Sequence, residues 1–539
     1  MVAELRFTGA ALADSANDVS SEQGKSGTAV VAALLDSAGC RFAHSSASSG
    51  CTDTARRDSV YALARSSASP PLTVEPERGL VVTWTAIPVK TSHRARRLLI
   101  ATLTAALSSS AVTATAATGE LDPTFGHDGR VTTDVSPGFF SAARDVALSS
   151  TGQIVAVGNT CGAAVCPGPG NMLADIAIAR YRRDGSLDRR FSENGRKVTE
   201  LTRLRDNIAY AVAVQPDDKI VVVGCAACEL HGSNMVVLRY QADGRLDRAF
   251  GDNGIRSIDF GRASEAFDVA LSPDGAITIA GCVGCSAHHW SGDRPTSKSD
   301  MAVARITPEG QLDKTFGSEG LARVSFGQRH DEARALALLP DGSVIAAGCA
   351  TCDGDFSDVA VARLDAEGVL DETFGDGGKV RTDLGADDDA SGIAMDGDDV
   401  VVAGGSGRRM AVVRYQGGGA LDPTFASDGS ARLRLPTDPS RANDVVVASG
   451  GAVMLGSTLR GDGAEEDWVL VRLGRHGDID TAFGTDGVVT TDFPSADPDT
   501  RGDVGEALIV QPNGKLLGAG YAHLGPDVPT TFALARYRA

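Results

Sequence analysis

One stretch decides the fold: Ala179-Arg180-Tyr181-Arg182-Arg183-Asp184-Gly185-Ser186-Leu187-Asp188-Arg189-Arg190-Phe191-Ser192-Glu193-Asn194-Gly195. A hydrophobic strand ends in Arg-Tyr. An Asp-Gly turn follows, then Leu-Asp-x-x-Phe, then a second turn that closes on Gly. The Leu-Asp-x-x-Phe anchor recurs at Leu121–Phe125, Leu187–Phe191, Leu246–Phe250, Leu312–Phe316, Leu370–Phe374 and Leu421–Phe425, with Ile for Leu in a seventh copy at Ile479–Phe483. Successive anchor phenylalanines lie 66, 59, 66, 58, 51 and 58 residues apart. A period near sixty marks a repeat architecture.

Each period holds four strand-like pieces bounded by turn residues. In the second period these are Ala209–Val214, Lys219–Gly224, Met235–Tyr240 and Ile255–Phe260. The first two are joined at Gln215-Pro216-Asp217-Asp218, and the turn recurs as Pro273-Asp274-Gly275, Pro340-Asp341-Gly342 and Pro512-Asn513-Gly514. Proline presets φ, and Asp or Asn with Gly accepts the left-handed position that reverses the chain. Four antiparallel strands repeated around a ring make a β-propeller. The two ends give the blade count. An anchor and a fourth strand (Arg130–Val135) come first without their partners; strands one to three (Gly505–Val510, Gly514–Ala519, Phe532–Tyr537) come last without a fourth. The sequence therefore predicts an all-β, seven-bladed propeller of four-stranded antiparallel blades. Its N-terminal strand should join the C-terminal blade, leaving no sheet edge unpaired in the ring.

The unit resembles the delta-60 repeat, a bacterial family of β-propeller repeats. Ala-Arg-Tyr, Asp-Gly-x-Leu-Asp-x-x-Phe-Gly and the Gln-Pro-Asp/Asn-x-Lys turns at Gln215–Lys219 and Gln511–Lys515 carry the likeness, which runs from about Gly119 to the C-terminus. The resemblance implies a propeller and an exported location and brings no catalytic residues with it. The sixth copy departs most, with Ala426 for Gly and Ser449-Gly450-Gly451 for the Pro-Asp-Gly turn.

Residues 1–88 lie outside the pattern and read as a disordered extension or as sequence upstream of the true start near Val89. Residues 89–117 read as a secretory signal peptide: basic Lys90–Arg97, apolar Leu98–Leu107 and the small-x-small Ala114-Thr115-Ala116. The apolar run is too short for a membrane span. Residues 118–539 form the propeller, expected to be monomeric. Beyond residue 117 the chain has 40 basic and 61 acidic residues, a net charge of −21. Such a surface repels phosphate backbones and makes nucleic acid a poor partner.

Eight cysteines form four pairs, each following the second strand of a blade: Cys161 with Cys166, Cys225 with Cys228, Cys282 with Cys285, and Cys349 with Cys352. Local disulfides fit an exported protein. Zinc would need two pairs to converge, and a redox pair would want a helix N-terminus to lower a thiol pKa. No cofactor or resident metal is expected.

Features present seven times read as structure. They include the arginine that ends each third strand (Arg180, Arg239, Arg305, Arg363, Arg414, Arg472, Arg536) and the anchor aspartate (Asp122, Asp188, Asp247, Asp313, Asp371, Asp422, Asp480). Function should break the symmetry. Loops joining strands two and three, and loops entering strand one, emerge on one face. That face collects His231, His288, His289, Trp290, His330, Asp331 and His523, with Glu332 and Asp387–Asp389. The ligand-binding candidates are His231, His288, His289, Trp290, His330 and Asp331. The expected function is binding or scaffolding for a protein or glycan; a hydrolase or lyase at the channel mouth is the rival, although no spaced nucleophile–base set is present.

Overall fold

The computed structural model describes residues 119–538, except 162–173, 203–205, 229–232, 286–297, 328, 353–356, 437–438, 449–450, 460–465, 496–501 and 526–529. It also gives two paired antiparallel strands, Leu80–Trp84 and Leu103–Leu107, within a unit separate from the propeller. The second of these covers part of the apolar run of the expected signal peptide. The rest of residues 1–118 lie outside the described residues.

The propeller has seven four-stranded antiparallel sheets, and no helix occurs among its described residues. Blade two illustrates the unit: Asn207–Val214, Ile220–Ala226, Asn234–Tyr240 and Ile255–Ile258, paired in chain order. Blade seven consists of Val504–Val510, Leu516–Ala522, Thr531–Tyr537 and the N-terminal Arg130–Thr133. In that last pairing Arg130 faces Ala535 and Thr133 faces Phe532, so the chain closes its own ring. The first strands begin at Ser141, Asn207, Ser264, Asp331, Asp388, Ser440 and Val504 in blades one to seven. Each contacts the next, and the seventh contacts the first, forming an inner circle.

The core is seven apolar layers, one between each pair of neighbouring blades. Every layer contains one anchor phenylalanine: Phe125, Phe191, Phe250, Phe316, Phe374, Phe425 or Phe483, each at most 2% exposed. Phe250, for example, packs among Val221, Val223, Met235 and Val237 of blade two and Ala266, Ile277 and Ile279 of blade three. Burying such a ring contributes roughly 2–3 kcal/mol. The turn glycine of the Asp-Gly motif is required by this wedge. Gly244 has φ +88°, and a Cβ there would lie 2.9 Å from the ring of Phe191 in the preceding layer.

The repeated arginine and aspartate are structural. Arg180 Nε donates to Asp188 Oδ2 at 3.0 Å, Arg239 to Asp247 at 2.9 Å and Arg536 to Asp122 at 2.7 Å. Arg305, Arg363, Arg414 and Arg472 pair with Asp313, Asp371, Asp422 and Asp480. The guanidinium of Arg239 also donates to the Pro308 carbonyl of the next blade and lies 4.5 Å from the centre of Phe250. The same side chain therefore holds its own turn, the wedge and the neighbouring blade. The other oxygen of the aspartate caps the anchor turn, as Asp122 Oδ1 does for the N–H and hydroxyl of Thr124.

Candidate functional site

Each first strand carries a β-bulge at an equivalent position. The register slips between Ala143 and Asp145, Ala209 and Ala211, Ala266 and Asp268, Ala333 and Ala335, Ala390 and Gly392, Ala442 and Asp444, and Gly505 and Ala507. The bulged residues are Arg144, Tyr210, Phe267, Arg334, Ser391, Asn443 and Glu506. A bulge re-aims the extra side chain away from both sheet faces. All seven are partly exposed, and the residue before each is buried. The bulge has a sequence cause on the second strand, where a glycine sits opposite. A Cβ at Gly224 would meet the carbonyl oxygen of Ile208 at 1.9 Å, and one at Gly281 that of Glu265 at 1.8 Å.

The bulged side chains turn toward the propeller axis. Arg144 of blade one pairs with Glu506 of blade seven. Tyr210 stacks edge-on against Phe267, with ring centres 5.0 Å apart, and its hydroxyl donates to Glu265 Oε2 at 3.3 Å. Arg334 of blade four and Arg441 of blade six both reach Asp389 Oδ2 of the blade between them. Arg334 also lies 3.6 Å from Glu332, and Arg441 donates to Ser391 Oγ at 3.2 Å. Asn443 donates to the Gly505 carbonyl at 2.8 Å. Interactions that skip a blade place these groups around a common axis: Arg334 acts on Arg441, and Glu332 acts on Tyr210. Partial loss of solvent, followed by the charge of Arg334, lowers the Arg441 guanidinium below its ordinary value. Burial and Glu265 push the Tyr210 hydroxyl well above its ordinary value.

Below this ring lies a second tier. The residue after the bulge is Asp145, Ala211, Asp268, Ala335, Gly392, Asp444 and Ala507 in blades one to seven. Each aspartate spans the gap to a blade with alanine there. Asp145 accepts from Val212 N, Asp268 from Leu336 N and Asp444 from Leu508 N, each at 2.7 Å. Seven is odd, so one blade is left over, and it carries Gly392. A Cβ at Gly392 would crowd Asp444 Cα at 2.7 Å. Burial raises all three carboxyls, Asp268 to about 6 and Asp444 to about 7, and their mutual repulsion adds to the shift at Asp145 and Asp444.

The ring lies near the start of strand one and the end of strand two, beneath the face that carries the longer loops. Three cysteine pairs rim it as disulfides: Cys225–Cys228, Cys282–Cys285 and Cys349–Cys352. Cys282 is registered against Glu265, and Cys349 against Glu332. Cys161 ends the matching strand of blade one; Cys166 lies outside the described residues.

Of the ligand-binding residues named from sequence, His231, His288, His289 and Trp290 lie outside the described residues. His330 and Asp331 are described and buried, 5% and 1% exposed. His330 Nδ1 is bonded to Ser299 Oγ at 3.0 Å, and Asp331 accepts from Phe326 N at 2.6 Å and Thr351 N at 3.3 Å. Asp331 also occupies a repeated position, equivalent to Asp388 and Asp503, whose carboxylates likewise accept backbone N–H groups. Its burial and its repetition make it a cap for the strand entrance. The neighbouring Glu332 and Asp389, expected in loops, lie in first strands and belong to the ring. On the opposite, turn-bearing side, a broad groove is lined by Asp243, Arg245, Asp247 and Arg248. Of these, Asp247 is the anchor aspartate that every blade possesses, whereas Asp243, Arg245 and Arg248 vary between blades.

The fold defines the class, a seven-bladed β-propeller closed by its own N-terminal strand. Residues 215–250 and 339–374 match a family described as "Domain of unknown function (DUF5122) beta-propeller", which is consistent with the resemblance of the repeat to the delta-60 unit. No curated protein matches the chain. Among solved structures it is similar to a protein of unknown function from Dyadobacter fermentans DSM 18053, with 11% identity over 77% of this chain and 100% of that one and a TM-score of 0.36. It is also similar to the WD40 β-propeller domain of Doa1 (8% identity, 76% and 97% covered, TM-score 0.39) and to the polysaccharide lyase Uly1 (10%, 76% and 91%, TM-score 0.42).

Proposed function

We propose that this propeller is an exported binding module that holds its ligand on the axial ring, beneath its loop-rich face. One observation carries the reading. The anchor positions keep Arg, Asp and Phe in all seven blades, whereas the seven equivalent bulge positions hold Arg, Tyr, Phe, Arg, Ser, Asn and Glu. A purely structural bulge could repeat like the anchor; a single asymmetric ligand needs one unlike set of contacts. Residues just outside the bulges add Glu265, Glu332, Asp389 and Arg441 to the same ring. Aromatic and arginine side chains are the types that most often dominate binding energy. A glycan or a small polar molecule suits these groups, and an extended protein segment could thread to the ring from the loops.

Export is supported by the basic, apolar and small-residue succession at Lys90–Ala116 and by the bonded cysteine pairs. N-terminal sequencing of exported protein should begin between Thr115 and Thr118; recovery of an intact Met1 terminus would contradict it. Binding is tested by thermal-shift screening of a panel of saccharides and small acids. A hit should disappear in the Tyr210→Ala/Arg441→Ala double variant. Hits that survive this variant would place the site elsewhere.

The Tyr210–Glu265 pair supports a second reading, as a lyase or hydrolase. A hydroxyl donating to a carboxylate is a pairing that proton transfer can use. Product release from a polysaccharide panel, abolished by Tyr210→Phe, would establish it.

A further inference from the structure

We infer that the axial ring takes a carboxylate on a six-membered ring, with the carboxylate beside Arg334 and Arg441 and the ring face on Tyr210 and Phe267. This rests on the binding reading above and names its ligand class.

The argument begins at Asp389. Its Oδ1 accepts the Gly405 N–H at 3.0 Å, and its Oδ2 receives both guanidiniums. Two cations from blades four and six thus share one carboxylate oxygen from blade five. Blade five itself offers only Ser391 and Gly392 at the bulge, so no large side chain of its own comes between them. Arg441 keeps 43% of its side chain exposed, whereas Arg472, the repeated arginine of the same blade, keeps 8%. An arginine fork pairs bidentately with a carboxylate, and two forks turned toward one acidic oxygen leave donors directed past it. Loss of solvent, then the charge of Arg334, lowers the Arg441 pKa, and a ligand carboxylate beside the two cations would offset both. Glu506, which pairs with Arg144, also acts on Arg441, and Glu332 lies 3.6 Å from Arg334, so the two cations share the axis with acids on either side of Asp389.

The aromatic side follows from Tyr210 and Phe267. They are adjacent bulged residues of blades two and three, both partly exposed, and packed edge-on. An exposed aromatic pair offers apolar contact to a flat or chair-shaped ring, and the Tyr hydroxyl adds a polar end. Glu265, which accepts the Tyr210 hydroxyl, and Glu332 are buried behind this side, 4% and 2% exposed, and orient the ring rather than face a ligand.

Sugar acids and aromatic acids share this chemistry, and the test separates them. The full propeller is titrated by calorimetry with D-glucuronate, 4-hydroxybenzoate, D-glucose and methyl glucuronate ester, each to about 10 mM, the range of weak single-ring ligands. Glucuronate or 4-hydroxybenzoate should bind. Arg441→Ala should weaken that binding at least tenfold without moving the melting temperature, and Arg441→Lys should restore part of it. Equal binding of glucose and glucuronate, lost in Tyr210→Ala, would overturn the carboxylate inference while leaving the ring as the binding site. Acid binding that persists unchanged in both Arg441→Ala and Tyr210→Ala would overturn both readings. Absence of binding by all four probes would overturn the carboxylate inference.

Discussion

Replacing Asp247 by Ala tests whether the repeated anchor holds the ring. The side chains of Asp247 and Arg239 are 5% and 7% exposed, and Nε and Oδ2 lie 2.9 Å apart. Asp247 also caps the turn through the Ala249 N–H at 3.3 Å and lies 3.8 Å from Lys219 Nζ. Alanine removes the carboxylate and leaves a buried guanidinium. Breaking a buried pair from one side costs about 3–5 kcal/mol. Arg239 retains the Pro308 carbonyl and the face of Phe250, which puts the loss near the lower end, about 3 kcal/mol. An unfolding entropy of about 2.1 cal/mol/K per residue over roughly 420 residues is about 0.9 kcal/mol/K, so the melting temperature should fall by about 3–4 °C if the ring melts as one unit. Differential scanning calorimetry reads this directly. An apolar pair, Arg239→Met with Asp247→Leu, should recover most of the loss, because no charge is stranded. A single variant that melts within a degree of the parent, or a double variant whose losses simply add, would refute the reasoning.

Three further outcomes follow from the geometry. Deleting Leu121–Val135 removes the fourth strand of blade seven and one anchor, so the shortened protein should open and aggregate; a monomer with unchanged melting would show that the ring closes otherwise. Alkylation in denaturant before and after reduction should reveal six masked thiols from the three pairs, with Cys161 and Cys166 adding two more; free reaction without reductant would contradict the disulfides. Burial raises Asp444 to about 7, above its unfolded value, so the folded state holds a proton that the unfolded state has lost. Its contribution to stability is full below about pH 4 and is lost as pH rises to about 7. Asp444→Asn should therefore flatten the melting profile across that window; an unchanged slope would argue against a raised carboxyl.

The ring and its closure were legible in the sequence because they depend on features that recur. Leu-Asp-x-x-Phe needs a turn, a cap and a wedge in every blade, and the orphan Arg130–Val135 has only one partner available. The site was hidden for a physical reason. A β-bulge shifts the two-residue period by one, so Tyr210, which reads as one more position of an alternating strand, leaves the sheet face for the axis. The glycine of Val-Val-Gly224-Cys and its counterparts was the available signal, since glycine within a strand often marks a bulge or a close approach of backbone. Glu332 and Asp389 drew notice as loop acids and proved to be ring residues, while Asp331 beside them is a repeated cap. Arg144, Tyr210, Phe267 and Arg441 gave no such local signal. Their significance emerges only when the seven first strands are superposed on their bulges.

The central claim is that repeated residues hold the propeller and unrepeated ones serve its ligand. Blade six offers both kinds of arginine within one sheet: Arg472 pairs with Asp480 and lies 4.7 Å from the centre of Phe483, while Arg441 shares Asp389 with Arg334 at the axis. Melting and glucuronate titration of Arg472→Ala and Arg441→Ala, measured side by side, test it most directly. Arg472→Ala should melt several degrees lower, with the affinity of the remaining folded protein unchanged, and Arg441→Ala should melt normally and bind at least tenfold more weakly, on the order of 1.4 kcal/mol. The reverse pattern, with Arg441→Ala unfolding early and Arg472→Ala losing the ligand, would contradict the account.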